Sequence, residues 1–302
     1  MTGEQSKGKS GLSTRGAVLV TLGIVAILGM ALFVGLWVIP FVKISNFVAD
    51  YPVGPWAQKA IVRLGGKGRV ARRLTTYLRL PRWLAPKKKS AVVLLSYCGE
   101  PAVDILVETL GKNAPDLRLM AVVSLSRLKS HARNAVPALI RALRVDDEFF
   151  RSLVAGALGS IGPDARAAVP VLVEALEDES KHVRSKSAQA LGAIGPDSKP
   201  AVPRLIEMMK DDGDKFARAR AALALGRIGS HPETVMAALT EALKDGDSYV
   251  RISAAWALAM FGPAAKEAVP ALEDALKDED ERVRKQAAWS LKEIRGLGEP
   301  EE

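Results

Sequence analysis

Leu158-Gly159-Ser160-Ile161-Gly162-Pro163-Asp164-Ala165-Arg166-Ala167-Ala168-Val169-Pro170 comes back 33 residues later as Leu191-Gly192-Ala193-Ile194-Gly195-Pro196, running on to Ala201-Val202-Pro203. Both of its ends recur elsewhere in the chain. The glycine-bounded end returns as Leu225 to Gly229 and, with changes, as Leu258 to Gly262. Ala-Val-Pro also stands at 135–137 and 268–270, and Thr234-Val235-Met236 fills the gap. An arginine keeps the same phase at Arg118, Arg151, Arg184, Arg218, Arg251 and Arg284. Three independent markers on one period of 33 or 34 residues mean a tandem array of stacked units.

Each unit reads as two helices. Val169, Leu172, Val173 and Leu176 follow the i, i+3, i+4, i+7 rule of a helix with one buried face, and Val183, Ala190, Leu191 and Ile194 mark a second such face. Gly195-Pro196 then stops the second helix, since glycine tolerates a left-handed cap and proline cannot continue the turn. The proline of Ala-Val-Pro opens the next first helix, where its missing N–H is not needed. One such pair cannot bury its own apolar face, so stacking is obligatory and the pairs must share a core. The pattern resembles the HEAT-repeat family, in particular the short HEAT-like repeats named after phycobilisome lyases, over about residues 100 to 294, with a degenerate unit beginning near Lys88. The resemblance implies an all-α, right-handed α-solenoid. It is specific for fold and says little about function.

Composition agrees with small-core helices: 48% of residues are hydrophobic and only 5% aromatic. The net charge of +9 is unevenly spread: residues 51–99 hold eleven Lys or Arg and no acid, whereas from residue 100 onward acids outnumber bases. The array itself is therefore mildly acidic, which disfavours nucleic acid as its partner. Cys98, the one cysteine, has no partner for a disulfide and is expected to be a buried core thiol.

Ala17 to Ile39 is a run without a charge, long enough as a helix to cover about 34 Å. It is expected to span a membrane as an uncleaved anchor, making the chain a single-pass membrane protein. Lys7, Lys9 and Arg15 before the run nearly balance Lys43 and Lys59 after it, so the side that the solenoid occupies stays open. Val70, Leu74, Tyr77 and Leu78 then line one face of a basic amphipathic helix. Its Arg69, Arg72, Arg73 and Arg79 are candidates for contact with anionic headgroups; the alternative is a solenoid cap with a solvated charged face. The organisation expected is a basic tail (1–16), a transmembrane helix (17–39), a basic juxtamembrane segment (40–87), the solenoid (88–296) and an acidic tail (297–302).

Acids precede the recurring arginines at Asp178, Asp211, Asp245 and Asp278. With Arg151, Arg184, Arg218, Arg251 and Arg284 they are expected to form a structural ladder: the acid in the turn pairs with the arginine at the next helix start and keeps neighbouring repeats in register. The resemblance implies the same role. Some HEAT-repeat relatives hold iron through His-Glu pairs, but His131, His182 and His231 are followed by Ala132, Val183 and Pro232, so that motif is missing. No residue has the surroundings of an activated nucleophile and no glycine-rich strand-to-helix turn exists for a dinucleotide. The chain is expected not to be an enzyme and to need neither cofactor nor metal.

Five residues after the arginine, on a position that the pattern turns away from the core, stand Val123, Gly156, Gln189, Leu223, Trp256 and Trp289. Four further on come Arg127, Arg227 and Met260. In proteins of the resembled family the second helices line the concave surface, so Leu223, Arg227, Trp256, Met260 and Trp289 are the candidate partner-binding patch there, the tryptophans serving as anchors. The competing explanation is that Trp289 closes the open end of the core with Trp256 in support. The expectation is a membrane-anchored scaffold for a protein partner, in contact with lipid through its anchor and basic segment. Its alternatives are a phycobilin-lyase-like or other small-ligand-handling protein, and a nucleic-acid-binding module working through 59–89.

Overall fold

The computed structural model describes residues 66–79, 88–145, 147–230 and 232–296. Helices α1 (Lys67–Arg79) and α2 (Lys88–Leu95) precede six helix pairs: α3 (Val103–Leu110) with α4 (Pro115–Leu128), α5 (Val136–Ala142) with α6 (Glu148–Ile161), α7 (Val169–Glu174) with α8 (Lys181–Ile194), α9 (Val202–Asp211) with α10 (Lys215–Ile228), α11 (Pro232–Ala242) with α12 (Ser248–Ala259), and α13 (Val269–Ala275) with α14 (Glu281–Ile294). The architecture is an all-helical solenoid.

Local chemistry explains the boundaries. Asp147, Asp214, Asp247 and Asp280 stand just before α6, α10, α12 and α14, and their carboxylates accept from free N–H groups of the first turn, as Asp214 does from Phe216 and Ala217 at 3.0 Å. Gly162 and Gly195 end α6 and α8 at φ 76° and 82° with ψ −140°, an extended left-hand region that side chains avoid; this differs from the helical left-handed cap expected of them. The same position after α4 is Lys129, held at φ 52° and ψ −133°. A short 3-10 segment, such as Gly162–Ala168 or Gly195–Ala201, then leads into the next first helix.

Two leucine columns carry the core. Leu125, Leu158, Leu191, Leu225 and Leu258 of the second helices and Leu106, Leu139, Leu172, Leu205, Leu239 and Leu272 of the first helices are all fully buried in one continuous cluster. Each contributes about 2 kcal/mol of apolar burial. Cys98 belongs to the same cluster, and burial pushes its thiol up to about 11.

Successive second helices touch backbone to backbone: a Cβ on Gly192 would lie 2.8 Å from the Cα of Ala224, and one on Gly159 2.9 Å from that of Ala190. Successive first helices touch little and pack instead against the 3-10 segments. The layer of second helices is thus the tighter one; the face it turns away from the core is called the inner surface, and the layer of first helices the outer one.

The membrane location inferred from the sequence is corrected here. Among the described residues no helix is long and apolar enough to cross a membrane. The run 17–39 on which the inference rested lies outside the described residues, as does the acidic tail 297–302. Of the two readings of α1, its packing fits the solenoid cap with a solvated charged face, Arg69, Arg72 and Arg79 being exposed. Val70, Leu74 and Leu78 are buried in the solenoid core, so the apolar face of α1 is already covered, and Arg79 donates to Glu108 of α3 at 3.1 Å. Helix α1 packs on α2, so among the described residues the packed unit extends back to Lys67.

Candidate functional site

Two rows of side chains repeat along the solenoid, and their chemistry differs. The first follows the edge where each second helix begins. Arg151 forms a two-point ion pair with Asp178 (2.8 and 2.9 Å), Arg184 with Asp212 (2.7 and 2.8 Å), Arg218 with Asp245 (2.9 and 2.9 Å) and Arg251 with Asp278 (2.7 and 2.8 Å). In each pair the arginine belongs to one repeat and the acid to the next.

This corrects the expected pairing twice. The carboxylate reaches back to the preceding arginine, while the arginine that follows donates to the backbone carbonyl of the same aspartate, as Arg184 Nη1 does to that of Asp178 at 2.9 Å. The acid of the second ion pair is Asp212, not Asp211. An extra residue in α9 leaves Asp211 exposed as its last residue, whereas Asp212 stands six before Arg218, the interval kept by Asp178, Asp245 and Asp278. Each of these carboxylates also accepts from the N–H two residues on. At the far end Arg284 donates to the carbonyls of Asp278 and Glu279, and at the near end Arg118 lies 4.6 Å from the centroid of Phe150.

The electrostatics fit a holding role. The hydrogen bond it donates to its aspartate raises the pKa of each paired arginine. Burial works against the ionised forms of Asp212 and Asp245, but bonds from Arg184 and Arg218 and from backbone N–H groups outweigh it, and both carboxyls lie below their ordinary range. An open groove of about 590 Å³ on this edge is lined by Asp178, Arg184, Asp212 and neighbouring acids. Its ladder members are already bonded, and Arg204 there is paired with Glu177 and Glu207.

The second row faces away from the core. Positions two before the recurring arginine and two, five and nine after it fall on one stripe of the second helix, because steps of four, three and four return to the same face. In α10 the stripe is Phe216, Arg220, Leu223 and Arg227; in α12 it is Tyr249, Ser253, Trp256 and Met260; in α14 it is Arg282, Gln286, Trp289 and Glu293. The opposite stripe of α10, with Ala217, Ala221, Leu225 and Ile228, is buried. The candidate patch Leu223, Arg227, Trp256, Met260 and Trp289 therefore lies on one surface, that of the second helices.

Its side chains touch across helices. Arg227 Cζ lies 5.8 Å from the Trp256 ring centroid, a cation over an aromatic face. The stem of Arg227 lies over Gly192 of α8, and Met260 Sδ would be 3.1 Å from a Cβ on Gly226 of α10. The glycines that let the backbones approach also let these side chains lie across the neighbouring helix. Trp289 and Met260 are each 43% exposed, and neither tryptophan belongs to the core cluster. On α14, Lys285, Ala288 and Lys292 are exposed on the neighbouring stripe, beside that of Trp289.

Phe216 and Tyr249 were missed from sequence. They meet edge to face at 5.5 Å, Phe216 is 52% exposed, and both stand two residues before the arginine in the column that also holds exposed Phe149. Aligning that column as well as the one at the tryptophans finds them. Among the described residues no group of three or more His, Cys, Asp or Glu side chains is placed to hold a metal. His131 and His182 are exposed, and His231 lies outside the described residues.

A family profile described as HEAT repeats matches residues 103–187, 136–226 and 236–302, which together make up more than half of the chain, and one described as PBS lyase HEAT-like repeat matches 217–245. No curated protein matches it. Among solved structures, an engineered protein is similar at 26% identity and TM-score 0.51, over 65% of this chain and 97% of that one. An archaeal HEAT-like repeats protein from Thermococcus onnurineus NA1 is similar at 15% identity and TM-score 0.53, over 77% of this chain and 98% of that one. Importin beta is similar at 19% identity and TM-score 0.56, over 80% of this chain and 37% of its own length.

Proposed function

This chain belongs to the HEAT-repeat family, and from that premise we propose that it is a scaffold holding a protein partner on the inner surface lined by its second helices, with no reaction of its own. One observation carries this: Leu223, Trp256, Met260 and Trp289 share a single stripe across α10, α12 and α14 and stay outside the core cluster, with Trp289 and Met260 43% exposed. A folded chain gains nothing from leaving large apolar side chains together in water, and contiguous apolar patches of this kind mark contact surfaces. Tryptophan on a rigid helix loses little freedom on binding and buries a large area, which suits it as an anchor.

The reading through the basic stretch 59–89 has less support, since among its described members Arg79 is paired with Glu108 and Lys89 with Asp116.

Site-specific photocrosslinking in the producing cells tests the proposal. A benzophenone side chain at position 289 or 260 is expected to give protein adducts, and one at Pro203, exposed on the outer layer in α9, is expected to give none. Adducts from 203 alone would overturn it.

A further inference from the structure

The charges on the inner surface do not match those of the solenoid body. From residue 100 onward acids outnumber bases, yet the stripe positions of α6, α8, α10 and α12 include no carboxylate. They do include Lys186, Arg220 and Arg227, and none of the three forms an ion pair among the described residues. Elsewhere cations are commonly answered: Lys181 by Asp214, Lys210 by Glu241, Lys215 by Asp247, Arg295 by Glu273. The acids on the flanking stripes are Asp116, bonded to Lys89, and Glu293.

We infer that the partner of this surface is an extended, acidic peptide segment with interspersed aromatic or aliphatic side chains, its carboxylates meeting Arg220 and Arg227 and its apolar groups seated against Trp256, Met260 and Trp289. The inference rests on the scaffold reading above and names the chemistry of what is held. Arginine is suited to the task because its planar fork binds a carboxylate at two points and remains weakly hydrated. Neighbouring second helices are about 9 Å apart, so a strand rising about 3.3 Å per residue crosses one helix every three residues. A segment of about eight to twelve residues therefore spans α8 to α14. The cations are also too sparse to follow a phosphate backbone, and the acidic body would repel one.

An array of random twelve-residue peptides, probed with the labelled full chain, tests this. Captured peptides are expected to be rich in Asp or Glu together with Phe, Trp, Leu or Ile. The variant Arg220→Glu/Arg227→Glu is expected to lose them at least tenfold and to select Lys-rich peptides instead. These arginines form no hydrogen bonds among the described residues, and a melting curve verifies that the variant is folded. Peptides lost in Trp289→Ala but neither acidic nor affected by the charge reversal would overturn the inference and leave the docking surface standing. Capture that is absent, or indifferent to both variants, would overturn the docking surface itself. Binding of a twelve-nucleotide oligothymidine that the charge reversal abolishes would replace the peptide with a nucleic acid and overturn the inference.

Discussion

The ladder edge and the inner surface repeat with the same period but are completed to different degrees. Along the edge, each arginine from Arg151 to Arg251 has a carboxylate from the next repeat and a carbonyl from its own turn, with the side chains of the Arg251 pair 9% and 11% exposed. On the inner surface, among the described residues, Arg220 forms no ion pair, Arg227 meets the ring of Trp256 but no acid, and Trp289 is half in water. Period alone does not separate architecture from function in a repeat protein. Whether each recurring group finds its partner inside the chain does.

Substitutions should therefore divide by row. Arg218→Ala strands Asp245 at a seam where its side chain is 14% exposed, and the unfolding free energy from denaturant titration should fall by about 3 kcal/mol. A smaller loss, about 2 kcal/mol, is expected for Gly192→Ala, because the new Cβ meets the backbone of Ala224 and must push two second helices apart.

Acid should act on the ladder in a definite direction. The hydrogen bond from Arg251 holds the Asp278 carboxyl below its ordinary range, so its stabilisation is complete above the unfolded value of about 3.9 and is lost as pH falls through the lower folded one. Wild type should lose stability below about pH 4. Asp278→Asn should be weaker at neutral pH and show a shallower loss on acidification, measured by melting at stepped pH.

One element near the ladder's start is improvable. Lys129 occupies the glycine position at φ 52° and ψ −133°, so Lys129→Gly should raise stability by about 1 kcal/mol. The smallest effect should come from the other row: Trp289→Ala should change stability by no more than about 0.5 kcal/mol, which would sharpen the contrast with Arg218→Ala.

The helix pairs, their proline starts and their glycine stops were legible because each has a local cause repeated many times. The pairing of the aspartates was not, since the turn between helices points its carboxylate and its carbonyl to different repeats, and sequence order favours the nearer arginine. Sequence order points to Asp211 where the structure has Asp212, because the extra residue of α9 shifts the count on one side only. Helix α1 was open to two readings for a physical reason: Val70, Leu74 and Leu78 make the same apolar face whether it meets lipid or a stack. The inner surface was half legible, as the column of Trp256 and Trp289 was aligned and the column of Phe216 and Tyr249 was not.

The most direct test joins the two rows in one variant. Trp256→Ala/Trp289→Ala, made in a chain with the crosslinker at position 260, should melt within a few degrees of the parent and lose the protein adduct. A melting point that falls as far as that of Arg218→Ala, with the adduct retained, would contradict the account, because the tryptophans would then belong to the architecture.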